Sequence, residues 1–380
     1  MKTRKILALV LALVMCVTVL AACGSSSTPA PAAPAASTTT TTETKTETPA
    51  QTETKTEAAP TYSFIFQPSC WQENGFWADG VGFWADYITE ATDGRIKATR
   101  TAPGSICSTD QQLDAVSDGM TPAMAIASAY WAGVCDIGYT FATPPVVQSV
   151  DDMKDLMETY QDGRAGELWK SQVEGLYNVK VVGFIYGPAS VPISSKKPIN
   201  GINDLKGLKI RVGAGAIANA LEYFGASCVY APSSESYTML SNGTIDAVIT
   251  GSASDNKNAS FDEVTSYWTR NWCANTTHAV TVVVNRDIWD QLSAEDQQAL
   301  IDGCDYATEQ ICSYAYDKID EAWAELEAEG INMCMWTDED AETWARQFYE
   351  QCKSYSDSAE YTEFMQILYD WSVENGYFSA

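Results

Sequence analysis

From Thr61 to Ala380 the hydrophobic and polar positions fall into blocks that predict strands and helices in turn. Tyr62 to Gln67 predicts a short aromatic strand, Trp77 to Thr92 a helix stopping at Asp93-Gly94, and Arg95 to Arg100 an alternating strand. A helix over Thr109 to Ser117 ends at Gly119 and leads into the apolar run Pro122 to Ser128. Asp151 to Val173 predicts one helix and Val179 to Tyr186 a buried strand. Leu208 to Val212, Ser227 to Ala231 and Ile245 to Thr250 predict strands, separated by helices over Ala214 to Phe224 and Glu235 to Asn242. Repeated strand, helix, strand units predict an α/β fold with mainly parallel sheets and helices on both faces.

A further strand, Ala279 to Asn285, precedes a long helical stretch. Ser293 suits an N-cap with Asp296 three residues on, and helical composition continues to Glu329 before Gly330 stops it. At 1.5 Å per residue that is roughly 50 Å, longer than one lobe is wide. Such a helix either runs along two lobes or breaks between them.

The first sixty residues are of another kind. Lys2, Arg4 and Lys5 precede an apolar run from Ile6 to Leu20, and Leu20-Ala21-Ala22-Cys23 resembles a bacterial lipobox. Residues 1–22 are thus expected to be a cleaved signal and Cys23 a lipidated residue, holding the chain at the outer leaflet of the cell membrane, as in a Gram-positive bacterium. From Gly24 to Pro60 the chain is almost entirely Ser, Thr, Pro, Ala, Glu and Lys. Such a segment cannot bury enough apolar surface to offset chain entropy, so a disordered tether with a reach of roughly 30 to 40 Å is expected.

The formal charge of -27 makes nucleic acid an unsuitable partner and means that an anionic ligand must be held by a local cation against the long-range field. Setting aside Cys16 in the signal and Cys23, an odd number of the eleven cysteines remains, with no CxxC spacing. His278 is the one histidine, so neither a zinc site of the usual spacing nor a redox motif is visible. With no Gly-x-Ser-x-Gly elbow either, the common hydrolytic constellations are missing and an enzyme is not expected.

The run Pro198-Ile199-Asn200-Gly201-Ile202-Asn203-Asp204-Leu205-Lys206-Gly207-Leu208-Lys209-Ile210-Arg211-Val212 resembles the central signature of the extracytoplasmic solute receptors of tripartite ATP-independent periplasmic (TRAP) transporters, the DctP type. The resemblance continues through Phe224-Gly225-Ala226, Ser234-Glu235-Ser236-Tyr237, Asn242-Gly243-Thr244-Ile245-Asp246-Ala247, Val282-Val283-Val284-Asn285-Arg286-Asp287-Ile288-Trp289 and Leu292-Ser293-Ala294-Glu295-Asp296-Gln297. Thr89 to Ile96 and Leu113 to Gly119 match upstream, so it spans nearly all of residues 61–380.

What it implies is a two-lobed periplasmic-binding-protein-like fold of type II, closing around a small organic acid and backed by a long helix. Lobe I would take residues 61–187 plus 278–292, lobe II residues 188–277, and the long helix with the C-terminal helices residues 293–380. The partners implied are the acid, the TRAP membrane permease subunits and the membrane at Cys23. The family's signature arginine corresponds to Arg211. On spacing alone a surface cation on an edge strand is the commoner reading; the resemblance makes Arg211 the carboxylate anchor, a role suited to the paired N–H donors of a guanidinium.

Tyr130 and Trp131 resemble an aromatic element that contacts 2-oxo or hydroxy acids in one subgroup, although an aromatic pair at a strand end is more often core. Gln67 and Trp71 close the first strand, while Tyr186, Asn219, Tyr237 and Thr250 stand at strand ends or helix starts facing the expected cleft. His278 resembles a recurrent family histidine, with a structural bond and ligand contact both open. Three departures matter: Ser190-Val191-Pro192 stands where many members carry a second arginine, Gly213 where proline is usual, and Thr250-Gly251 where asparagine-proline is common. They favour a monocarboxylate or 2-oxo acid, and the twelve tryptophans suggest a bulky one. No cofactor is expected; sodium or calcium bridges ligand in part of the subgroup, and no acidic cluster here marks such a site. An ABC-transporter binding lipoprotein and a sensory ligand-presenting lipoprotein are the alternatives.

Overall fold

The computed structural model describes residues 62–68, 75–127, 133–141, 150–187, 191–213, 215–270 and 278–378. The expected signal, the Cys23 lipid site and the tether lie outside the described residues. The strands are β1 (Tyr62–Phe66), β2 (Ile96–Arg100), β3 (Ala123–Ala127), β4 (Val179–Gly187), β5 (Ile193–Ser195), β6 (Lys209–Val212), β7 (Ser227–Tyr230), β8 (Ala247–Ile249), β9 (Tyr267–Thr269), β10 (His278–Asn285) and β11 (Asn332–Cys334).

The α/β class holds, and the strands divide between separate sheets. β1 pairs with β2, and β3-β10-β4 form a second ladder tied to the end of β1 by a bridge from Pro68 to Ala125. A six-stranded sheet has the order β11-β9-β5-β8-β6-β7. The expectation of mainly parallel sheets is corrected here. β10 runs antiparallel to both β3 and β4, and β5 antiparallel to both β8 and β9. β5 and β10 are each entered from a strand of a different sheet, so no crossover within one sheet dictates their direction.

Asp151 to Val173 is not one helix but two, Val150–Asp162 and Arg164–Leu176. Gly163 between them is extended at φ -98° and ψ -178°. A Cβ at Gly166 would lie 1.8 Å from the Tyr160 carbonyl oxygen, so the second helix starts in contact with the last turns of the first. Two glycines thus cut a stretch that its apolar spacing alone would continue.

The helix Ala294–Ala328 runs unbroken for 35 residues. Ser293 caps it, accepting from the Asp296 N–H and donating to its carboxylate at 2.9 Å, and Arg95 pairs with that carboxylate at 2.9 Å. Its buried stripe includes Leu300, Cys304, Ala307, Ile311, Ala315, Ile319, Ala322 and Leu326, at the three and four residue intervals of one helix face. Ile311 occupies space that two glycines leave: a Cβ at Gly80 would stand 2.4 Å from its Cδ1 and one at Gly187 2.6 Å from its Cγ2. Trp84 Nε1 donates to the Leu300 carbonyl at 3.0 Å. Farther along, Trp323 meets Trp268 of β9 edge to face, and Lys257 pairs with Glu325 and Glu329. The helix therefore joins elements of the β3-β10-β4 ladder and of the six-stranded sheet.

Seven tryptophans (Trp84, Trp169, Trp268, Trp323, Trp336, Trp344 and Trp371) are buried in the core. Packing accounts for these seven. Cys107, Cys135, Cys228, Cys304, Cys334 and Cys352 are free thiols.

Candidate functional site

The site is built on β6. Its register is set by the preceding turn, where Gly207, at φ 79°, donates to the Gly225 carbonyl and the Asp246 carboxylate accepts from the Lys209 N–H at 3.0 Å. Within Lys209-Ile210-Arg211-Val212, Ile210 and Val212 are buried on one face, which leaves Arg211 on the other, in register with Val229 of β7 and Val248 of β8. Arg211 is only 2% exposed, so the surface-cation reading is set aside.

Its guanidinium is fastened at the carboxyl ends of the strands. Nε and Nη2 both donate to the Ala231 carbonyl, at 2.8 and 2.5 Å, and Nη1 donates to the Ile249 carbonyl at 3.3 Å. Gly213 follows directly, with a Cβ there falling 3.5 Å from Nη2. The Ser233 and Thr250 hydroxyls meet at 3.0 Å. Gly251 turns the chain at φ 48°, and Ser252 then caps the helix Ala253–Asn258 in a capping box with Asp255. Burial pushes the Asp255 carboxyl above its ordinary range, partly offset by the Ser252 N–H and hydroxyl. Asn256 is fully buried, its Nδ2 donating to Ser194 at 3.4 Å. The neutral Ala231 and Ile249 carbonyls thus orient the guanidinium at this end of the sheet.

Of the other expected residues, the structure brings Thr250 to this site and disperses several more. Gln67 is buried with its carboxamide spanning a loop: Oε1 accepts from the Ile106 and Cys107 N–H groups and Nε2 donates to the Cys107 carbonyl. Tyr186 is a core residue of β4, 8% exposed. Asn219, on the helix Gly215–Tyr223, donates to the Tyr139 hydroxyl, and Tyr139 stacks on Tyr355. Tyr237 donates to Glu263 at the surface. The His278 backbone pairs with Gly187, while its side chain, like Trp71, Tyr130 and Trp131, lies outside the described residues. Ser233 was missed by sequence reasoning; its signal was a hydroxyl just after Ala231-Pro232, where a strand gives way to a helix start. Among the described residues, no group of three or more His, Cys, Asp or Glu stands where it could hold a metal ion.

The family model described as bacterial extracellular solute-binding protein, family 7, matches residues 69–358. The outer membrane transporter protein TsaT of Comamonas testosteroni is 29% identical over 57% of this chain, and a monocarboxylate 2-oxoacid-binding periplasmic protein of Nostoc is 26% identical over 60%. The matched stretches span 62% and 63% of those relatives' lengths. A TRAP periplasmic solute-binding protein of Desulfovibrio salexigens, solved with bound orotic acid, superposes with a TM-score of 0.73 at 17% identity, covering 82% of this chain and 99% of that one. At that identity the likeness shows the fold, a two-lobed periplasmic-binding-protein-like one. The family match, over most of the chain, and the shared fold place this protein among the bacterial extracellular solute-binding proteins of family 7, the DctP family.

Proposed function

We propose that this chain is a lipid-anchored extracytoplasmic receptor that captures a small organic acid, a monocarboxylate or 2-oxo acid, and delivers it to a TRAP membrane permease. The observation that carries the reading is Arg211: a buried guanidinium fixed by the Ala231 and Ile249 carbonyls at the carboxyl ends of β6, β7 and β8. Ligands of open α/β sheets gather at such ends. A carboxylate docking there gains charge-assisted bonds from a cation oriented in advance, against the field of a chain with a charge of -27. Micromolar capture needs about 8 kcal/mol, and closure of two lobes over the pair would exclude water and strengthen it.

The preference for a single carboxylate is supported by Ser190-Val191-Pro192, which supplies no second arginine, and by the 2-oxoacid-binding name of the Nostoc relative. The anchor rests on the lipobox-like Leu20-Ala21-Ala22-Cys23. The test is a thermal-shift screen of the purified chain against 2-oxo monocarboxylates, C4-dicarboxylates, sugar acids and neutral sugars, each with and without calcium or sodium. Stabilisation by the 2-oxo monocarboxylates is expected, because a ligand that binds only the native state raises its melting temperature. A response confined to neutral sugars would overturn the reading.

A further inference from the structure

We propose that Ser233 and Thr250 are positioning residues for ligand capture, their hydroxyl pair holding together the two loops whose carbonyls aim Arg211; this rests on reading Arg211 as the carboxylate anchor. In the six-stranded sheet β6 lies between β8 and β7, so the segments that leave β7 and β8 start two strand spacings apart, roughly 9 to 10 Å. The Ser233 and Thr250 oxygens nevertheless stand 3.0 Å apart, so the two loops converge across the end of β6. The same loops supply the Arg211 acceptors, Ala231 two residues before Ser233 and Ile249 one residue before Thr250.

A closed circuit results. It runs from the guanidinium through the Ala231 carbonyl, Pro232 and the Ser233 hydroxyl to the Thr250 hydroxyl, and back through the Ile249 carbonyl. Pro232, at φ -56°, stiffens one side. With acceptors on two loops, the plane of the guanidinium depends on the separation those loops keep. Bidentate recognition of a carboxylate needs that plane fixed, and fixing it before the ligand arrives removes an ordering cost from binding. Neither hydroxyl has to touch the ligand for its loss to weaken capture.

The full chain is compared with Thr250→Val, Ser233→Ala, Thr250→Ser and Arg211→Lys. Hydrogen exchange at the Arg211 Nε–H, resolved by nitrogen-15 NMR and identified by its loss in Arg211→Lys, reads the circuit without any ligand. Exchange about tenfold faster is expected in Thr250→Val and Ser233→Ala, with wild-type exchange in Thr250→Ser. By calorimetry with pyruvate and 4-methyl-2-oxopentanoate, the first two variants are expected to lose about three- to tenfold in affinity. Thr250→Ser is expected to retain it, and Thr250→Val to add no further loss in an Arg211→Lys background. Unchanged Nε–H exchange in Thr250→Val overturns the proposal, and so does an equal acceleration of backbone amides throughout the six-stranded sheet. Faster Nε–H exchange in a protein that binds neither acid supports the circuit and overturns the assigned ligand class instead.

Discussion

Two nitrogens of Arg211, Nε and Nη2, converge on the single carbonyl oxygen of Ala231, twenty residues away in sequence and one strand over in the sheet. A lysine can neither reproduce that fork nor reach Ile249 at the same time. Arg211→Ala is expected to abolish binding of the acid found by screening, with far-UV circular dichroism unchanged. Arg211→Lys is expected to weaken it at least about tenfold. Titration calorimetry on the folded variants checks both, and retained affinity in folded Arg211→Ala would remove the carboxylate anchor.

Ile311 is expected to be a strong stability position. It fills the space opened by Gly80 and Gly187 and is fully buried where the long helix meets the helix Phe76–Ala91 and the end of β4. Ile311→Ala removes three carbons where the rigid glycine backbones cannot collapse inward, which costs about 2–5 kcal/mol. Urea denaturation should show a lower midpoint with an unchanged slope.

Gly166 makes a sharper steric demand. An added Cβ would overlap the Tyr160 carbonyl oxygen, a backbone atom that cannot rotate out of the way. Gly166→Ala is therefore expected to destabilise the chain by about 1–3 kcal/mol or more, although alanine is the better helix former. A rise in melting temperature would show that the two helices can part without cost.

Strand β4 was legible as a continuous apolar run, β6 because Ile210 and Val212 keep one face, and the long helix because Ser293, Asp296 and Gly330 mark its ends. The break at Gly163 was not, since apolar spacing continues through it and the deciding contact, Gly166 on Tyr160, is tertiary. The direction of β10 was misread because local sequence does not record which sheet a strand enters, and the three-residue strand β5 was not predicted. At the site, Arg211 was legible through its signature and Thr250 through its place after a strand. Gln67 and Asn219 were indistinguishable from ligand contacts in sequence, because the loop carbonyl at Cys107 and the phenol of Tyr139 that engage them are 40 and 80 residues distant.

Glu174 sets an acid limit on stability. Burial pushes its carboxyl up, but bonds from Lys180, Arg286 and the Val181 N–H outweigh burial and leave it below the ordinary range. The contacts are short: Lys180 Nζ at 3.0 Å, Arg286 Nη2 at 2.9 Å and the Val181 N–H at 3.0 Å. They tie the helix Arg164–Leu176 to the start of β4 and to Arg286, which follows β10. A carboxyl with a depressed native pKa binds fewer protons folded than unfolded. Its contribution is therefore complete above the unfolded value and is lost as the pH falls through the native one. Because Lys180 and Arg286 are about one third exposed, solvent screening holds that contribution to about 1 kcal/mol. Glu174→Gln is expected to be less stable than wild type by that amount at pH 7. The gap should close as the pH is lowered through the acid range and narrow in high salt. Urea midpoints for both proteins between pH 7 and pH 3 test this, and a gap that widens on acidification would reverse the assignment.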